Sequence, residues 1–184
     1  LSLGSPVKMA KTAEAIRQAT DRGIPVVTAS GNGGNRSRSW PAMDERVISV
    51  AAVDVNHAPA VFSEPSSVDI AAGGVAVLSC WLDKLYRVLS GTSMAAPFVA
   101  GSLAVYFSDL AIAREIRPKP AELFSKLTDW SEDIGDPGKD EKTGPGLISP
   151  ARYQESRKKL VPVVTETWIP KWRISTNFAF CIKR

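Results

Sequence analysis

Residues Leu89–Gly101 read LSGTSMAAPFVAG, with Ser93 among small and hydroxyl side chains and an apolar run directly behind it. The apolar segment from Ala95 to Leu103 is short and suits a buried helix, which places Ser93 near a helix start. A serine in that place is either a cap that satisfies the first backbone N–H groups or a nucleophile at a terminus that favours negative charge. A serine nucleophile normally needs a base. The 184-residue chain holds one histidine, His57. Either His57 serves, or a component of the chemistry comes from elsewhere.

Working outward, the chain alternates strand and helix signals. Ser5 and Pro6 are the cap and first-position residues expected of a helix that Gly23 ends, with Met9, Ala13, Ile16 and Ala19 on one face. IPVVTAS (Ile24–Ser30) and RVISVAAVD (Arg46–Asp54) are continuous apolar runs, the pattern of parallel strands covered on both faces. VDIAAGG and VAVLSCW predict two more strands with a glycine turn between them. The Ser93 helix is expected to run to about Leu110, and a shorter helix to begin at Pro118 or Pro120. DIGDPGKDEKTGPG (Asp133–Gly146) must be loop. The pattern is an α/β fold with a parallel sheet between helical layers. The main unit covers residues 1–150, and residues 151–184 form a basic, Trp-containing C-terminal extension.

Composition narrows the function. With 44% apolar and 23% charged residues the chain is globular in character. No apolar run approaches the length of a membrane span, and no signal peptide is visible, which carries little weight in a chain that begins without Met. The net charge of +4 is unevenly placed: residues 151–184 hold eight Lys/Arg against Glu155 and Glu166, leaving the main unit at −2. That unit has no nucleic-acid surface by charge. Cys80 reads as a small buried hydrophobe, and two cysteines make no disulfide framework. With no CxxC, no HExxH and no Cys/His cluster, no zinc site is expected.

Three serine chemistries compete. GTSMA differs from the G-x-S-x-G elbow by Ala95, but that elbow needs an acid and then a histidine downstream, and no histidine follows Ser93. Ser5-Pro6-Val7-Lys8 with Lys142-Thr143-Gly144 imitates an S-x-x-K/K-T-G pair, yet Pro145 and the flanking glycines make a turn where a strand is required. The order in which acid and base precede the serine remains.

Here the chain resembles the subtilisin-like serine proteases, over residues 1 to about 150. SGTSMAAPFVAG resembles the segment of the attacking serine, VVTASGNGGN the oxyanion segment and LSLGSP the strand lining the substrate cleft. WPAMDERVISVAAVD resembles the stretch after the oxyanion loop, and DIGDPGKDEKTGPGLISP the closing loop. The resemblance implies a three-layer subtilisin-like α/β fold and peptide-bond hydrolysis through a serine acyl-enzyme. It implies Ser93 as nucleophile and Asn32 as side-chain oxyanion donor, with Ser2, Leu3, Gly4, Ser30 and Gly31 binding a protein or peptide substrate. The chemistry agrees, since the glycines around Asn32 let its NH₂ approach an oxygen facing the helix start.

The family's aspartate and histidine lie upstream of LSLG, so this chain is expected to be a fragment, incomplete at its N-terminus and inactive until the Asp/His half is supplied. His57 is expected on the surface in a strand-to-strand turn, and Asp54 and Asp69 as structural residues. A non-catalytic, protease-derived scaffold or peptide-binding module is the alternative.

Smaller expectations follow. Trp40-Pro41 resembles the family's aromatic–Pro bond, where a cis form is plausible. Asn35-Arg36-Ser37 is a glycosylation sequon by pattern. No cofactor is expected. Asp133, Asp136, Asp140 and Glu141 could hold calcium, but match no EF loop and read better as a solvated turn. The tail suggests two short strands broken near Pro170, with Trp168 and Trp172 packed on the body.

Overall fold

The computed structural model describes residues 1–34, 39–65, 68–113, 116 and 118–160. The sequon and the expected strands of the tail lie outside these residues. Four strands are parallel or nearly wholly apolar, as their sequences require. β1 (Val26–Ala29), β2 (Val47–Val53) and β3 (Ile70–Gly73) pair in parallel. β7 (Leu147–Ile148) joins β3 in parallel, and β6 (Ser131–Glu132) closes the far edge antiparallel to β7. The order is β1-β2-β3-β7-β6. All seven residues of β2 are buried, which explains a run with no polar alternation except Ser49.

One face of the sheet carries α2 (Thr92–Ala113), α3 (Pro120–Asp129) and α4 (Pro150–Leu160). On α2, Ala95, Ala96, Val99, Leu103, Tyr106 and Leu110 recur at helical spacing and join Val27, Ala29, Ile48, Val50, Ala52, Ile70 and Ala72 in the main core. The other face is covered by α1 (Ala10–Asp21), where Ile16 packs with Trp40 and Val47. Helices thus lie on both faces, the three layers that the parallel runs require.

Several expectations need correction. α1 starts at Ala10, not beside Ser5, because the backbone of Ser5 is extended and exchanges two hydrogen bonds of 2.8 Å with Trp40. The hydroxyl of Ser5 accepts the N–H of Val7 in a local turn instead of capping a helix. Cys80 is exposed, not buried, because β4 (Val77–Cys80) leaves the sheet and pairs antiparallel with β5 (Tyr86–Leu89) in a hairpin. The apolar run is also longer than expected: Thr92–Ala111, with mean hydropathy 1.3, has the length and composition to cross a membrane. Here its apolar side packs on β1, β2 and β3. Past Pro150, α4 docks on α2 through Arg157 and Asp109.

The expected features that hold include the Trp40-Pro41 bond, which is cis, and the 133–146 loop, closed by a bridge between Asp140 and Gly144.

Candidate active site

Parallel strands deliver their C-terminal ends to one edge of a sheet, and the loops there gather side chains from distant parts of the chain. β1 leads directly into Ser30, Gly31 and Asn32, with Ser30 N–H held by Val50 O at 3.0 Å. Gly31 has φ +123°, a conformation open to glycine. Its N–H donates to Thr92 Oγ1 at 3.2 Å, which ties the loop to the first residue of α2.

Asn32 is tied to the same residue. Its Oδ1 accepts the backbone N–H of Thr92 at 2.9 Å and the Thr92 hydroxyl at 3.0 Å. With the carbonyl end committed, the Nδ2 end remains a donor that no acceptor among the described residues takes. A Cβ placed on Gly91 would lie 3.5 Å from that Nδ2, so the amide sits against the turn that enters α2. Thr92 is fully buried and was not singled out from sequence; the hydroxyl beside Ser93 was the available signal.

Ser93 follows, half-buried in the first turn of α2, whose opening N–H groups have no intrahelical partners. Pro97 lies four residues further along the helix. It has no N–H, so the carbonyl of Ser93 lacks its helical donor. The Ser2 hydroxyl donates to that carbonyl at 3.2 Å. A proline in the helix thus leaves the serine's carbonyl open to Ser2.

The Leu1–Ser5 segment is placed from two sides. The amino group of Leu1 donates to Val27 O, the Leu1 carbonyl accepts Ala29 N–H at 3.0 Å, and Ser5 bridges to Trp40. A Cβ on Gly4 would meet the Ser39 side chain at 3.3 Å. Ser2, Gly31, Asn32 and Ser93 are therefore joined through Thr92 and the Ser93 carbonyl. Leu3 is exposed, and Ser30 is buried with a hydroxyl that finds no partner among the described residues.

Behind the loop stands Glu64, which sequence reading passed over. It is buried, its Oε1 accepts Gly33 N–H at 2.8 Å and the Ser39 hydroxyl at 3.2 Å, and its own N–H donates to Gly31 O at 3.2 Å.

His57 does not join the group. It occupies an exposed turn with φ 64°, its N–H bonded to Asp54 O, and its imidazole makes no hydrogen bond among the described residues. Asp54 serves that turn, accepting the N–H groups of Asn56 and Ala58. Asp69 accepts Ser49 N–H at 2.9 Å at the start of β3, and burial pushes its carboxyl up despite that bond and the charge of Lys139. A cleft of about 490 Å³ gathers Asp44, Glu45, Asp69, Lys139, Asp140 and Glu141. Among the described residues no three His, Cys, Asp or Glu side chains are arranged to hold a metal ion. Asp133 accepts Gly138 N–H, and Asp140 accepts the N–H groups of Lys142 and Thr143, so both are engaged in folding their own turn.

Comparison with known proteins agrees with this geometry. The profile described as the Subtilase family matches residues 1–146. Subtilisin BL of Lederbergia lenta is 46% identical over 106 residues, which is 57% of this chain and 39% of that protein. Thermitase of Thermoactinomyces vulgaris is 40% identical over 118 residues, covering 64% of this chain and 42% of its own length. The major intracellular serine protease of Bacillus subtilis (strain 168) is 35% identical over 133 residues, 69% of this chain and 42% of that protein. The chain therefore spans about two fifths of the length of these three relatives. A profile match across most of the sequence, on a parallel-sheet fold with a serine opening its long core helix, makes this chain a member of the subtilase family of serine proteases.

Proposed function

We propose that the chain carries the acylating half of a serine endopeptidase. Ser93 attacks the scissile carbonyl, and the developing oxyanion is met by the Ser93 N–H and by Asn32 Nδ2. The peptide lies between the Leu1–Gly4 strand and the Ser30–Gly31 segment, adding a strand to the cleft. The observation that carries the reading is the double hydrogen bond from Thr92 to Asn32 Oδ1. It commits one end of the amide and leaves a preoriented donor beside the serine, where no reorganisation is needed as charge develops.

The base must reach Ser93 from another part of a peptidase domain, because His57 is exposed and its imidazole is engaged with no acid among the described residues. We assign that role to an N-terminal segment supplying aspartate and histidine. Without the base, oxyanion donors and binding alone leave about 10³–10⁴-fold acceleration over water, so the chain by itself should turn over peptides negligibly.

The test combines the 184-residue chain with the N-terminal part of a full-length relative and measures labelling by a fluorophosphonate probe. Labelling should appear on combination and vanish in Ser93→Ala. Strong labelling of the chain alone, lost in His57→Ala, would overturn the assignment of the base and move it to His57. No labelling in any combination would leave the non-catalytic binding module in possession.

A further inference from the structure

We infer that Glu64 is a positioning residue that sets the oxyanion loop, acting on the reaction through Asn32. The inference rests on the peptidase reading above. Asn32 sits between two glycines, and both are bonded to Glu64: Gly31 O accepts its N–H, and Gly33 N–H donates to its Oε1. The contact behind the loop is close. A Cβ on Gly31 would fall 2.3–2.5 Å from the carboxyl atoms of Glu64. The loop has no strand or helix ladder of its own at Asn32 and Gly33. Its place is set by Thr92 in front, by Glu64 behind, and by Gly34 N–H on Phe62 O beyond.

Glu64 also reaches the opposite wall. Its Oε1 accepts the Ser39 hydroxyl, and the Ser39 side chain is what a Cβ on Gly4 would meet. One buried carboxylate thus spaces the oxyanion loop from the cleft strand. A carboxyl oxygen suits this role because two converging donors, Gly33 N–H and the Ser39 hydroxyl, fix it in place. Leucine of similar bulk fills the space and bonds neither donor. Glutamine keeps an acceptor oxygen in the same place.

The experiment uses the full chain complemented as above, with active sites titrated so that rates refer to folded enzyme. Glu64→Leu should lower kcat about 10–10²-fold with KM little changed, the size expected when a catalytic group is misplaced by about an ångström. Glu64→Gln should lie close to the unsubstituted enzyme. In an Asn32→Ala background, Glu64→Leu should cost under about threefold, because its effect passes through a group already removed. An equal cost in both backgrounds, or a rise confined to KM, would overturn the inference and make Glu64 a part of the substrate wall.

If the complemented unsubstituted chain forms no acyl-enzyme, the peptidase reading falls, and the brace is judged in the chain alone. There the Gly33 amide should resist hydrogen exchange, and its proton resonance should move upfield in Glu64→Gln. An amide exchanging at the rate of an unstructured chain, or unmoved by the substitution, overturns the brace itself. The same amide decides the matter should Glu64→Leu fail to fold.

Discussion

At Asn32 the side-chain carbonyl is held by Thr92, and in the proposed reading its amino group is left to act. In the complemented enzyme Asn32→Ala should lower kcat about 10²–10³-fold with little change in KM, since the donor acts on the transition state; steady-state kinetics on a small peptide ester would show it. Asp69 behaves differently. Its folded-state carboxyl is raised above the ordinary value of 3.8 by burial. The folded state then holds the proton more tightly than the unfolded chain, so stability falls as pH rises from the ordinary carboxylate range through the raised value. Asp69→Asn should be more stable than the unsubstituted protein at pH 7, and the gap should close on acidification, as read from urea midpoints. Asn32 and Ser93 were legible as candidates in the sequence because glycines and small residues surround them. Glu64 was not, since its partners lie 25 and 31 residues away and become neighbours only in the folded sheet.

Among the elements, the strands whose residues are buried on both faces announced themselves. β2 did so most plainly, with seven buried residues in a row. β6 and β7 have two residues each and exist by long-range pairing, β7 with β3 and with β6 across the 133–146 loop, which no local pattern reveals. β5 reads YRVL and stands in an exposed hairpin, where Arg87 lies 4.9 Å over the ring of Trp81. The start of α1 was misplaced for a related reason: a local cap signal at Ser5 lost to long-range pairing with Trp40. α4 was missed because, among its described side chains, one buried residue, Tyr153, and the pairing of Arg157 with Asp109 commit it to the body. Asp109 on α2 is 2% exposed and receives the Tyr153 hydroxyl and two guanidinium bonds from Arg157, at 2.7 and 3.0 Å. Burial and that bond to Asp109 push the Tyr153 phenol well up. Arg157→Met should cost about 3–5 kcal/mol by stranding a buried charge, and adding Asp109→Leu should recover much of it. Chemical unfolding of the two variants checks both values.

For the whole molecule, several apolar side chains face outward: Leu1, Leu3, Val7, Ile24 and, on α2, Val105 are each about half exposed or more. The chain alone should bind ANS, and addition of the N-terminal part of a relative should suppress that fluorescence if the same surface is covered on assembly. Dye emission that stays constant while probe labelling appears would place the contact elsewhere. Pro97 ties this scale to the first. An alanine there would offer the Ser93 carbonyl an N–H from within the helix, in competition with the hydroxyl of Ser2. Pro97→Ala should then raise the melting temperature and slow acylation together. The imperfection in the longest helix among the described residues would then trade durability against speed, at the cost of one backbone hydrogen bond.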